Sequence, residues 1–173
     1  MDALEKRPIL ETTRLTLRAP RASDAGLISL YTSDLRLAAM TATIPHPNPP
    51  GAVEAFLRNA AASEGDLHWT IDATKGLGCE VVGAAGLDQD GEIGYWIGPF
   101  FWNLGLATEA LGAICTFARS KSYPPLHAGV FQDNPASRRV LEKHGFEQAG
   151  EGTSFSVAQG KTVKTWEMID GKG

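Results

Sequence analysis

A chain of 173 residues is long enough to bury one sizeable core and short for two ordinary domains, so a single domain over 1–173 is expected. Sixteen Lys and Arg against 20 Asp and Glu leave a formal charge of −4, which offers no clustered cations for nucleic acid or an anionic membrane and suits a basic partner or a small amine. Cys79 and Cys115 stand far apart, in runs that read as buried, with no CxxC spacing and no secretory leader ahead of them, pointing to reduced thiols in a cytoplasmic protein. The most apolar stretch, 93–107, is interrupted by Pro99, Asn103 and glycines and falls short of the roughly 20 residues a membrane span requires. His46, His68, His127 and His144 lack metal-ligand spacing, so no metal site is expected.

In chain order, Arg14–Arg18 alternates polar and apolar residues with the period of a half-buried strand closed by Pro20. Ser23-Asp24 offers an N-cap ahead of Leu27, Ile28, Leu30, Tyr31 and Leu35, whose spacing predicts one helix. The prolines of 44–51 predict a stiff loop, because each removes a donor and biases its predecessor towards extended geometry. Val53, Phe56, Leu57 and Ala60 resume a helical face, and 68–72 alternates as a strand. Two further strands, 80–88 and 92–98, flank Asp88-Gln-Asp-Gly91, a hairpin signal.

From Gly105 onwards Leu106, Ala110, Leu111, Ile114, Phe117 and Ala118 form one stripe, with Glu109 in the first turn and Arg119 and Lys121 in the last, matching the helix dipole. A short strand 126–131 follows Pro124-Pro125, so strand, helix and strand make a crossover that normally sets its strands parallel. Asn134 then reads as N-cap, Pro135 as the first helical residue and Gly145 as the stop. The tail, 146–157 and 162–169, closes as a hairpin around Gln159-Gly160. The whole reads as a mixed α/β (α+β) domain without internal repeats.

A strand ending at Gly98-Pro99, a short turn, and a helix opening near Gly105 gather unpaired N–H groups along a helix dipole, a ready anion site. Glycine at 105 and Ala107 keep the approach open, so Leu104, Gly105, Leu106, Ala107 and Thr108 can donate through the main chain. Spacing alone equally fits an ordinary strand-to-helix connection.

The run Glu92-Ile-Gly-Tyr-Trp-Ile-Gly98, then Phe101-Trp-Asn-Leu-Gly-Leu-Ala-Thr-Glu-Ala110, then Asn134-x-x-Ser137 and Glu142-Lys-His-Gly-Phe146, resembles the GNAT superfamily of N-acetyltransferases. Thr13-Arg-Leu-Thr-Leu-Arg18 with Ser23-Asp24 resembles its ribosomal-protein N-terminal acetyltransferase branch, so similarity covers roughly 13–168. The resemblance implies a central, mostly antiparallel sheet flanked by helices and splayed between the parallel strands 92–98 and 126–131. It further implies acetyl-CoA as cosubstrate, its pyrophosphate on the amides of Leu104 to Thr108 and its pantetheine arm along Trp96, Ile97 and Gly98, where one amide polarises the thioester carbonyl. Asn134 and Ser137 match positions against the lower pantetheine and the sulfur, with Ser137 the candidate to protonate the leaving thiolate. Asn134 is equally a plain N-cap, and Ser137 equally an ordinary helix-start serine.

Glu92 matches the strand position used as general base in related enzymes, although a solvated hairpin residue is the competing reading. Phe101 and Trp102 either shape a substrate mouth or simply pack. Two departures stand out. Trp102, Asn103 and Leu104 replace the basic or small residues the family often carries before the glycine, and Leu141 occupies the place of a frequent acid tyrosine.

The expected reaction is direct transfer of acetyl to a primary amine in a ternary complex, by a monomer or homodimer, with the amine entering from the loop at 40–51. A protein N-terminal α-amine leads. A small amine (aminoglycoside, polyamine or amino acid) and a non-catalytic acyl-CoA-binding sensor are the alternatives. Acidic residues at the acceptor mouth would favour a polycation.

Overall fold

The computed structural model of the protein describes residues 7–172. Strands β1 (Leu10–Glu11), β2 (Thr16–Arg18), β3 (Leu67–Ala73), β4 (Cys79–Leu87) and β5 (Ile93–Ile97) form one antiparallel sheet in that order. A second antiparallel sheet places β8 (Lys161–Asp170) between β6 (His127–Phe131) and β7 (Phe146–Ser156). The sheets meet where β5 and β6 run parallel. A single bridge between Glu92 and His127, with the His127 N–H donating to the Gly91 carbonyl at 3.0 Å, ties the start of the two strands, and beyond it they part. This is the expected splay, at the expected place.

Side-chain alternation divides the two faces. Trp69 and Ile71 of β3, Ile93 and Ile97 of β5 and Ala128 and Val130 of β6 enter the main core beneath α5 (Leu106–Arg119), with Leu141 of α6 (Pro135–Lys143). Trp69 meets Phe117 of α5 edge to face at 6.1 Å. The opposite face carries α1 (Ala25–Thr32), α2 (Leu35–Ala38) and α3 (Ala52–Ala62) over a smaller core of Ile28, Tyr31, Leu37, Val53, Leu57 and Val81. The remaining helix, α4 (Thr74–Leu77), is one turn between β3 and β4 that ends on left-handed Gly78, φ 71°.

Three local expectations change. The single helix expected from Leu27 to Leu35 is two, because the chain breaks after Thr32 and the Asp34 side chain caps α2 by accepting from the Arg36 N–H at 2.9 Å. Asp24 stands at the N-cap position of α1, but its side chain makes no cap bond there. It is buried and accepts from Arg18 at 2.9 and 3.0 Å, from Thr70 Oγ1 at 2.9 Å and from the Arg21 N–H at 2.9 Å, while Arg18 also donates to Asp72 at 2.9 Å. Cys115 is buried, its thiol pushed up to about 11 by desolvation, whereas Cys79 is only half-buried. No helix among the described residues is long and apolar enough to cross a membrane.

Candidate active site

At the start of α5, Asn103 (φ 64°) and Gly105 (φ 76°) are both left-handed, which folds the 103–105 loop into a concave turn against the helix N-terminus. Among the described residues, the N–H groups of Leu104, Gly105, Leu106, Ala107 and Thr108 have no intramolecular acceptor, so they stand free along the dipole of a 14-residue helix. Asn103, Leu104 and Gly105 are exposed, Ala107 and Thr108 half-buried, and Leu106 roots the turn in the core.

A basic group stands at this turn after all. Arg14 donates to the Leu104 carbonyl at 2.9 Å, and its guanidinium lies 3.5 Å from where a Cβ on Gly105 would be. It is braced by Glu109 of the first helical turn, which accepts from Arg14 Nε and from its main-chain N–H, each at 2.9 Å. The guanidinium therefore holds one carbonyl of the loop while leaving the amides outward.

Along β5 the main-chain direction alternates. The Gly98 N–H donates to Val82 at 2.8 Å and the Glu92 carbonyl accepts from Asp88 at 3.0 Å, so the even-numbered residues address β4. The odd-numbered ones, Tyr95 and Ile97, address the splay. Trp96 and Gly98, expected beside Ile97 as main-chain partners of a ligand, thus turn their amides away from it. Trp96 still lines the cavity while its ring stands edge to face with Tyr31 at 6.4 Å, and Gly98 admits Tyr31, whose ring lies 2.9 Å from where a Cβ would stand. Trp102 does not shape the cavity: its indole N–H donates to the Ile97 carbonyl at 2.7 Å, and Phe101 packs against both cores.

The splay opens into one cavity of about 900 Å³ that reaches from the start of α6 across the open face of both sheets to α3. Glu92, Trp96, Asn134 and Ser137 all line it. Asn134 caps α6, its carboxamide oxygen accepting from the Ser137 N–H at 3.2 Å. The wall of residues 40–45 and Asn48 is fastened on two sides: the Val157 N–H and Gln159 Nε2 donate to Ala42 and Ala39 at 3.0 and 2.7 Å, and Asn48 donates to Thr32 at 2.7 Å.

Three lining residues escape a motif-based reading. Tyr95 reaches Ser137, its hydroxyl 2.9 Å from Ser137 Oγ, and burial pushes its phenol up to about 12. The one sign in the sequence is a polar tip in the apolar row Ile93, Tyr95, Ile97. His68 sits on the open face of β3, lowered from its ordinary value by burial. Glu167 of β8 enters from the second sheet, held by Thr165 Oγ1 at 2.8 Å. Leu141, where the family often has a tyrosine, is wholly buried.

The model of the acetyltransferase (GNAT) domain family matches residues 14–147. The chain belongs to that family and is an N-acetyltransferase. It is 30% identical over 170 residues to the uncharacterized N-acetyltransferase YoaA of Bacillus subtilis, covering 91% of this chain and 93% of that one. Among solved structures, the microcin self-immunity acetyltransferase MccE in complex with acetyl-CoA and AMP shares the fold with a TM-score of 0.78 at 17% identity, over 91% of this chain and 92% of the other. RimL, a ribosomal α-N-protein acetyltransferase in complex with coenzyme A, does so with a TM-score of 0.76 at 17% identity, over 94% and 98%.

Proposed function

We propose that the protein transfers acetyl from acetyl-CoA directly to a primary amine within a ternary complex, in the cavity between β5 and β6. The observation that carries this reading is continuity: one cavity joins Asn134 and Ser137, beside the splay, to the open sheet face carrying Glu92. A thioester laid in the splay and an amine on the sheet face would share that space without crossing protein.

The residues fit acetyl-CoA. Free amides at Leu104 to Thr108 suit a pyrophosphate, with Gly105 leaving the approach open. The outward main-chain groups of Tyr95 and the N–H of Ile97, whose carbonyl is taken by Trp102, suit an added strand-like arm. Acetyl-CoA supplies an activated acyl group and a good leaving thiolate, so the protein has to align, deprotonate and reprotonate.

Glu92 takes the proton from the ammonium of the acceptor. It stands two residues, about 7 Å of strand, from Gly94 at the open part of the cleft, a gap suited to relay through water. Its main chain is fixed by the Asp88 carboxylate, which accepts from the Glu92 N–H at 2.8 Å. Ser137 gives its proton to the leaving thiolate, with Tyr95 behind it.

Two acceptors remain in view. A protein N-terminal α-amine, with a pKa of about 8, is partly neutral at physiological pH and asks least of the base. A small cationic amine is favoured by the lining itself: among the described residues its carboxylates are Glu92 and Glu167, and no Lys or Arg lines it.

Thermal stabilisation by acetyl-CoA, followed by thiol release across a panel of amines and N-terminal peptides, tests the assignment. Stabilisation with amine-dependent thiol release is expected. Stabilisation without turnover on any acceptor would favour the acyl-CoA sensor, and no stabilisation would remove the site. Glu92→Gln should lower turnover most at low pH, and unchanged activity would remove Glu92 as the base.

A further inference from the structure

We propose that the preferred acceptor carries a second positive charge on a short linear spacer, and that Glu167 binds it. This rests on acetyl transfer in the cavity between β5 and β6.

His68 pairs with Gly86, and Gly86 with Gly94, across β3, β4 and β5. The parallel bridge of Glu92 with His127 sets Gly94 level with Gly129 across the splay, and Gly129 pairs with Glu167. Residues in one cross-strand row project to the same face. Here that face is the open one, because the residues next to each row member, such as Trp69, Ile93, Ala128 and Met168, enter the main core. The row therefore reads His68, Gly86, Gly94, Gly129, Glu167: a trough across both sheets, floored by glycine, with a polar side chain at each end.

His68 leans over the trough, and the Glu167 carboxylate spans β8 with one oxygen towards the trough and the other towards β7. A Cβ on Gly86 would stand 3.6 Å from His68 Nδ1, a Cβ on Gly129 would stand 3.5 Å from Glu167 Oε2, and a Cβ on Gly94 would meet nothing within 4 Å. The middle of the floor is thus free for a ligand, and it lies where the splay would present a thioester. The carboxylate of Glu167 has room only because position 152 of β7 is also glycine, where a Cβ would fall 2.7 Å from Oε1. Thr165 Oγ1 holds that oxygen at 2.8 Å. Among the described residues Glu167 has no salt-bridge partner, and no cation lines the cavity. A fixed carboxylate facing a cavity without a counter-ion is matched by a cation brought by the ligand.

The reach sets the spacer. From the middle of the splay to β8 is at least one and a half regular strand spacings, about 7 Å, and more where β5 and β6 part. That separates the two nitrogens of a linear diamine of four or five carbons. The neutral imidazole at the other end, lowered by burial, leaves Glu167 as the cation-binding end of the row.

The test compares putrescine with butylamine, and cadaverine with pentylamine, in steady-state thiol release by the intact protein and by Glu167→Gln. In the unsubstituted protein each diamine should exceed its monoamine by about tenfold in kcat/KM, or about 1.4 kcal/mol, the scale of a charge-assisted contact. In Glu167→Gln the loss on diamines should exceed the loss on monoamines by about the same factor, through KM, with the thermal stabilisation by acetyl-CoA retained. Thr165→Val should reproduce part of the loss. Equal use of diamine and monoamine would overturn this proposal alone. An equal fall of kcat on both in Glu167→Gln, with a shifted pH profile, would also overturn it and make Glu167 the base. Turnover of none of the amines would overturn it together with transfer to small amines.

Discussion

The Tyr95 hydroxyl lies 2.9 Å from Ser137 Oγ and 3.2 Å from the Ser137 carbonyl oxygen. The carbonyl can only accept, so when Tyr95 donates to it the serine proton turns to Tyr95, and when Tyr95 donates to Oγ the serine proton is released towards the cavity. With its phenol raised to about 12 by burial, Tyr95 keeps its own proton throughout and acts by positioning Ser137. Tyr95→Phe is therefore expected to lower kcat about fivefold, the worth of one neutral hydrogen bond of ~1 kcal/mol, with little change in the KM for acetyl-CoA. Combined with Ser137→Ala the effects should be strongly non-additive, because both substitutions break one unit. Independent, multiplying losses would separate Tyr95 from the serine.

Gly105 at φ 76° is the position where a side chain adds left-handed strain of about 1–2 kcal/mol. Because Arg14 anchors the neighbouring carbonyl at 2.9 Å, the loop is held from one side and has little freedom to relax. Gly105→Ala should weaken acetyl-CoA binding about fivefold or more by calorimetry. Unaltered affinity would show that the 103–105 turn does not carry the pyrophosphate.

The Arg18, Asp24 and Asp72 cluster makes stability depend on acid. Burial alone would raise the Asp24 carboxyl, but hydrogen bonds from Arg18, the Arg21 main chain and Thr70 together hold it below its ordinary value. A folded-state pKa below the unfolded one means the stabilisation is complete above about pH 4 and disappears as pH falls through the folded value. Tm should therefore hold near neutrality and drop steeply below about pH 4. Asp24→Asn should lower stability by about 3 kcal/mol at neutral pH, since it leaves a buried guanidinium short of a partner, and should flatten the acid limb. An acid limb as steep as that of the unsubstituted protein would place the sensitivity elsewhere.

What the sequence made legible was what local chemistry writes along one element. The α5 stripe, the Asn134 cap and the Asp88–Gly91 turn follow from periodicity and turn residues and lie where expected, whereas the break between β5 and β6 was legible only through the family resemblance. The Tyr95 contact crosses 42 positions and Arg14 reaches Leu104 across 90. Such partners meet only through sheet order, which periodicity does not encode. Trp96 and Gly98 are a subtler case. Trp96 lies on β5 and Gly98 just past its end, but which residues of a strand turn their amides to a ligand depends on a parity set by the neighbouring strand. The split of the first helix after Thr32 has a local cause, the Asp34 cap, which the apolar spacing continuing to Leu35 masks.

The central claim is that acetyl passes straight from acetyl-CoA to an amine in the cavity shared by Glu92 and Ser137. Two-substrate kinetics together with the intact mass of the protein after incubation with acetyl-CoA alone test it most directly. Direct transfer predicts intersecting reciprocal plots and a protein mass without an added acetyl group, with thiol appearing only when amine is present. Parallel plots with a stable acetyl-protein formed in the absence of amine would contradict it.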